Sequence, residues 1–544
     1  FSRVPLMRSS QRKTPLILNK LIHNFLERFP QGSVPVTMKL KFTFLLVYTF
    51  VFAHGEKEDL PDLWNEFRGP NGSGIRMDAK IGVPSMQELL WKTPLPFGLS
   101  CPVLSEDKIF LTGFKEGLLL TIALDRMTGE IIWQRKAPKV EIEKFHASSS
   151  PATPTPFVEQ NRLYVYFGSY GLLCYDHKGK ELWKKPLSTP KSLYGTACSP
   201  IVYNEMLILV ADDDANLPDS KVSRSKILAV NKKDGSTIWQ RHRPFHRSGW
   251  STPTIFEKIG GAELVVLGNG SLRGYSMPEG QEKWQVDGFS RETIARPMIG
   301  SGKVYGSGSR LGGSADLNTD PLPFWKAVIG FDRNGDGRLE RKEMTGHFTF
   351  PFRPQLPPGH PGYGLPLPKD SERKRKRLDA MFGWIDKNRD GFWDKEEFLK
   401  NLTIGRGKPL LVAVKPGGAG NVTDSHIQWE FNKGIPEVPS PILYDDLIYM
   451  VSNGGVLTCL SAGAGQMVYR KRLPGLGQYV ASPVVAGQNL IFVSEEGLLS
   501  VVRAGKEFKL LGQLNVKENI RVTPAVGIQN LYLRGDSHLW AFGK

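Results

Sequence analysis

The chain is predicted to be an all-β, eight-bladed propeller interrupted once by a small helical module. Two observations predict it: a short motif recurs every 40–50 residues, and one interval between its copies is about a hundred residues too long. A small residue followed by proline opens an apolar run at Pro102, Pro151, Pro200, Pro253, Pro297, Pro441, Pro483 and Pro524. The intervals are 49, 49, 53, 44, 144, 42 and 41 residues.

Each unit continues alike. A second apolar run follows, as in "RLYVYFG" (162–168) and "LIYMVSN" (447–453). A third ends in an Asp or Asn turn, as in "IALDRMTGE" (122–130) and "LAVNKKDGS" (228–236). A fourth carries tryptophan at Trp133, Trp183, Trp239, Trp284 and Trp429, with Tyr469 in the sixth unit. Four short strands rich in β-branched and aromatic residues make a blade, and blades bury their faces only by stacking on one another. The recurring tryptophan is expected to fill the same gap between blades each time. The eighth unit ends 20 residues after Pro524, too soon for a fourth strand. "LLWKTPL" (89–95) copies "ELWKKPL" (181–187), so the N-terminal segment is expected to supply that strand and close the ring.

Composition sets the outer limits. The 57 glycines and 39 prolines suit a turn-rich chain, and 40% hydrophobic residues suffice for a core. Residues 38–55, "MKLKFTFLLVYTFVFAHG", have a basic start, an uncharged run from Phe42 to Phe52 and small residues at Ala53 and Gly55. This reads as a signal peptide from Met38, too short to span a membrane, and predicts a periplasmic or extracellular protein. Residues 1–37 begin with Phe and read as mis-assigned upstream sequence or a disordered arm. Eight Lys/Arg and one acid lie up to Gly55, a net of +7, so the formal +17 becomes 17 − 7 = +10 beyond it. The basic residues are dispersed except for "RKRKR" (373–377), read as a solvated helix start. No nucleic-acid partner is expected, and the chain is expected to be a monomer. Cys101, Cys174, Cys198 and Cys459 include no adjacent pair and no CxxC, so buried thiols are expected.

The domains follow: propeller in 56–309, insertion in 310–408, and the rest of the propeller in 409–544. The insertion holds "FDRNGDGRLERKEM" (331–344) and "IDKNRDGFWDKEEF" (385–398). Ligand positions in the first are Asp332, Asn334, Asp336, the Arg338 carbonyl, Glu340 and Glu343. In the second they are Asp386, Asn388, Asp390, the Phe392 carbonyl, Asp394 and Glu397. A hard cation takes six to eight oxygens, the central glycine folds the loop back, and the last Glu closes the site. Helices are expected over "PFWKAVIGF", "KRKRLDAMFGWI" and "KEEFLKNL", and a short strand is expected to pair Leu339 with Phe392–Trp393. The pattern resembles an EF-hand pair, which implies two Ca²⁺ sites.

The repeat "ALDRMTGEIIW" and the entry "WNEFRGPNGSG" (64–74) resemble exported bacterial proteins with pyrroloquinoline-quinone-like (PQQ-like) repeats. That resemblance implies the propeller fold, and a function that is either non-catalytic scaffolding or quinoprotein dehydrogenation. The dehydrogenase branch implies adjacent cysteines and a carboxylate–amide cluster at the cofactor, neither of which is matched here. A CxxCH haem motif is also missing, so PQQ is not favoured. Asp212–Asp214 is expected to be a solvated turn. Connections between blades should gather on one face, where Lys144, His146, Tyr194, His246, Arg247, Trp250, Arg291, Arg296, Tyr479 and Arg521 are expected around a mouth. Such residues suit a protein or an anionic polysaccharide, and a lectin-like glycan binder is a further alternative.

Overall fold

The computed structural model describes residues 63–543, apart from 160, 193, 215–223, 244–245, 247–248, 310–320, 345–347, 352–363 and 403–407. The leader at 38–55, the arm at 1–37, Arg247 and most of the Pro-rich linker lie outside the described residues.

Eight sheets form the ring, each with four antiparallel strands, and two of them gain a fifth, parallel strand at an edge (Ile75–Arg76 and Gly420–Asn421). Blade one runs Val103–Leu104, Lys108–Lys115, Leu118–Asp125 and Ile131–Lys136, innermost strand first. Blade eight takes Ala525–Val526, Asn530–Arg534 and His538–Gly543 from the C-terminus. Its outer strand is Leu89–Pro94, paired antiparallel with Leu89 opposite Phe542 and Pro94 opposite His538. The first and last strands of the ring therefore share one sheet, as the copied "LLWKTPL" predicts. In blade five, Lys303–Gly308 pairs with Leu410–Val414, so the insertion leaves between the second and third strands.

Five tryptophans follow one rule, each lying on the turn glycine of the next blade: Trp91 on Gly129, Trp133 on Gly179, Trp183 on Gly235, Trp239 on Gly280 and Trp429 on Gly465. Trp284 departs from the expectation, because it packs on Gly274 of its own blade and donates to Glu263 at 2.8 Å. The indole N–H of Trp133, Trp183, Trp239 and Trp429 donates to a carbonyl of the same turn at 2.7–3.1 Å. Gly235 shows why glycine is needed: φ is +75°, and a Cβ would lie 2.7 Å from the Trp183 ring.

A hydroxyl chain runs around the inner strands at the residue before each proline. The amide of Ser199 donates to Thr252, that of Arg296 to Ser440, that of Ser440 to Ser482, and that of Ser482 to Thr523, each at 2.9–3.0 Å. This chain corrects one marker. Cys101 donates to Thr155 and Thr155 to Ser199, and the inner strand Phe157–Val158 follows Pro156 directly. The blade-two proline is thus Pro156 rather than Pro151, which opens the preceding turn.

The segment from Trp64 to Arg76 crosses the axis of the ring. Trp64 is fully buried and exchanges backbone bonds with Leu104 of blade one. Asn65 accepts from Val158 of blade two, and Asn71 exchanges two bonds with Ile255 of blade four. Arg68 donates to the Pro441 carbonyl of blade six, and Ile75–Arg76 pairs with Val485–Ala486 of blade seven. Glu66 pairs at 2.9 Å with Arg296, which begins blade five. A short stretch bonded to inner strands on all sides can only fill the channel. Gly72 (φ +64°) is required there, because a Cβ would lie 2.1 Å from the Arg296 guanidinium.

Candidate functional site

The insertion has its own core of Phe324, Trp325, Val328, Leu339, Phe382, Ile385, Trp393 and Phe398. Helices span Leu322–Val328, Ser371–Ile385 and Lys395–Asn401, at the three places the sequence predicts. Leu339–Glu340 pairs antiparallel with Phe392–Trp393, joining the loops back to back.

Both loops are wound around their own acids. In the first, Asp332 accepts from the Gly335 and Gly337 amides at 2.7 and 2.9 Å. Asn334 accepts from Asp336, and Asp336 from Arg338. Glu343 Oε1 accepts from Arg333 and Asn334, and Oε2 accepts from Glu340 at 3.0 Å. Glu340 also pairs with Lys342. In the second, Asn388 accepts from Asp390, Asp390 from Phe392, and Asp386 Oδ2 from Gly391 at 3.1 Å. Glu397 Oε1 accepts from Lys387 and Asn388. Gly337 and Gly391 both hold positive φ, at 80° and 87°.

The loops differ in what is left over. Asp386 Oδ1 and Glu397 Oε2 are buried without a hydrogen-bond partner among the described residues. Oxygens of Asp386, Asp390 and Glu397 lie within 4.8 Å of one another. Buried carboxylate oxygens without donors are costly, and a cation is the group that would satisfy several at once. Loop two also carries Asp394, which caps Lys395–Asn401 by accepting from Glu397 N at 2.8 Å. After Glu343 the chain makes only a turn among the described residues.

The expected mouth is partly dissolved into the core. Arg296 is buried against Glu66 and bonds the Phe67 carbonyl. Tyr479 is 1% exposed and packs between blades six and seven. His246 is buried, and Trp250 is buried with its N–H donating to Gly195 O at 2.8 Å. Arg521 pairs with Asp536 at 2.8 Å and lies over the Phe97 ring. Lys144 and His146 stay exposed, while Tyr194 and Arg291 are half-buried. His146, Tyr194 and Trp250 do meet, edge to face, with ring centroids 5.3 Å apart at each step. Of these residues, Arg296 meets the chain that fills the axis.

Asp212–Asp214 is a second correction. Asp212 is buried and bonds Arg243 through both oxygens, at 2.9 and 3.3 Å, and Arg243 also donates to the Tyr275 hydroxyl. Asp213 is buried and pairs with Arg224 at 2.8 Å. Gly268 leaves room for this, since a Cβ there would sit 2.5 Å from the Arg243 guanidinium. Sequence reasoning also passed over Glu143. It is buried, accepts from the Thr196 hydroxyl at 2.7 Å, and burial pushes its carboxyl up to about 7. The four thiols are buried and unbridged, and burial raises them to about 11 for Cys101 and about 12 for the others.

A family model described as outer membrane protein assembly factor BamB matches residues 116–333, within blades one to five and the start of the insertion. Solved structures agree on the fold. Quinohemoprotein alcohol dehydrogenase from Comamonas testosteroni superposes with a TM-score of 0.50 at 12% identity, over 89% of this chain and 80% of that one. The chain has the β-propeller fold, and residues 116–333 of it match that family model. Quinohemoprotein alcohol dehydrogenase ADHIIG from Pseudomonas putida HK5 superposes on this propeller equally, with a TM-score of 0.51 at 10% identity over the same shares. At such identity the likeness concerns the fold alone. A "Probable calcium-binding protein CML28" from Oryza sativa subsp. japonica is 32% identical over 112 residues, 19% of this chain. The propeller chain spans about half (54%) of that relative's length. No described helix is long and apolar enough to cross a membrane.

Proposed function

We propose that this PQQ-like propeller is an exported, calcium-binding scaffold that recognises a protein or an envelope polymer and does not turn over a substrate. One observation carries the calcium reading: loop two buries Asp386 Oδ1 and Glu397 Oε2 without donors beside Asp390. Loop two would hold the ion through Asp386, Asn388, Asp390, the Phe392 carbonyl, Asp394 and Glu397, and loop one would hold a second through the matching positions. The ion supplies charge neutralisation and a fixed helix geometry. Both oxygens of Glu343 already accept amides, so loop one is the weaker site.

Calorimetric titration with Ca²⁺ tests this. Wild type should give a tight phase lost in Glu397→Gln and kept in Glu343→Gln. No heat in the wild type refutes the reading.

Two observations weigh against quinone catalysis. The channel is filled by Trp64–Arg76, with Glu66 committed to Arg296. The four cysteines are separate and buried. Turnover of an alcohol with a dye acceptor, after adding PQQ and Ca²⁺, would overturn the scaffold reading.

A further inference from the structure

Among the described residues, four arginines are at most 2% exposed, and they differ in what receives their charge. Arg243 holds both oxygens of Asp212, and Arg296 holds Glu66. Arg534 has no carboxylate, but its terminal nitrogens donate to the Ser100, Pro96 and Thr112 carbonyls and to the Ser100 hydroxyl, at 2.7–3.3 Å. Arg68 has a single acceptor, the Pro441 carbonyl at 3.0 Å. Its Nε and Nη1 are buried with no hydrogen-bond partner among the described residues. A buried cation left in this state costs far more than a missing neutral hydrogen bond.

The surroundings do not supply the missing charge. Arg296 stands close enough to repel Arg68, and the acidic group within reach is the Cys101 thiol. Burial pushes that thiol up to about 11, so it stays neutral. Burial lowers Arg68 only to about 9, so it keeps its charge at neutral pH. Gly74, at φ +75°, lets the guanidinium lie against the crossing segment, since a Cβ there would sit 3.0 Å from Nη2.

Hydroxyls complete the setting. The residues before the blade prolines form one level of the ring, amide to side chain in turn. Arg68 meets that level at two points, the Pro441 carbonyl beside Ser440 and the Cys101 thiol. Ser199, Thr252, Ser440 and Ser482 each accept an amide there, and among the described residues none of the four hydroxyls donates. Each therefore still has a hydrogen to give.

We infer that the axis of the ring binds a small inorganic anion of the halide class, held by Arg68 and by hydroxyls of the proline level, with Ser440 beside the Arg68 contact. Donors left over without acceptors select an anion, and their enclosure selects one small enough to shed its water. A water molecule could accept the same hydrogens, but it brings no charge to the guanidinium. The ion ties the crossing segment to the blades around it, so the stability of the ring depends on the anion present.

Thermal melting of the full chain in sodium chloride, bromide and gluconate at matched ionic strength tests this, with calcium chelated throughout. The melting temperature should rise by about 2 °C for each tenfold increase in chloride or bromide, and stay level in gluconate. Arg68→Met, neutral and of similar length, should lose that dependence, whereas Arg521→Met at the mouth should keep it. Wild-type crystals grown in bromide give a second reading that needs no variant: anomalous density should lie at hydrogen-bond distance from Arg68 Nε or Nη1. Equal melting in chloride and gluconate, a chloride dependence kept by Arg68→Met, or no bromide beside Arg68 would overturn the inference and leave water as the acceptor. Because calcium is chelated, failure here leaves the calcium reading standing.

Discussion

Trp183 and Gly235 show how one side chain serves two blades. The indole is buried, lies on the glycine turn and donates to Lys232 O at 3.1 Å. Trp183→Ala should cost about 3–5 kcal/mol, read as a lower denaturant midpoint with unchanged m. Gly235→Ala should also destabilise, by more than ~1 kcal/mol, because it adds a methyl at positive φ against the ring. Glu143 gives a pH signature at the same scale. Its folded carboxyl titrates near 7 and its unfolded one near the ordinary 4.5, so the folded state binds its proton more tightly. Stability from this group is therefore full below pH ~4.5 and falls as pH rises through 7, by roughly 3 kcal/mol. Glu143→Gln should flatten that part of the profile in thermal melts.

At the scale of elements, what could be read from the sequence was what repeats. The Trp and turn-Gly spacing, the copied "LLWKTPL" and the two loops each announce a strand or helix by local pattern. Whatever depends on distant partners was not legible. Asp212 looks like a solvated turn until Arg243 is brought beside it, and Arg296 looks like a mouth cation until Glu66 arrives from 230 residues earlier. Pro151 and Pro156 are both preceded by a hydroxyl residue, and only the bond from Cys101 to Thr155 tells them apart. For the same reason Trp250→Ala and Arg296→Ala, natural choices for a glycan-binding test at the mouth, should act through stability. Both should lower the melting temperature whether or not a ligand is present. The two loops were legible in the sequence, and the structure winds each around its own acids. Their inequality was not legible, because it lies in which carboxylate oxygens the backbone satisfies.

For the whole molecule, the ring depends on one non-local pairing. Leu89–Pro94 joins His538–Gly543 across more than four hundred residues, and Lys92 adds a contact 4.0 Å above the Trp540 ring. Deleting 89–94 should leave an open ring with an exposed edge strand, seen as faster limited proteolysis of blade eight and concentration-dependent aggregation. Removing the insertion between Ser309 and Lys408 should be tolerated far better, since Gly308 and Leu410 are already paired neighbours. A shortened chain joined there should melt cooperatively and lose its calcium heat.

The segment that fills the channel also sets a timetable. Trp64–Arg76 is made before every blade it bonds to, and its partners extend as late as Val485. The outer strand that follows it waits for residues 538–543. Neither piece can settle until those partners have been made, so the ring locks late. A propeller built in this way stays open until its last strand arrives.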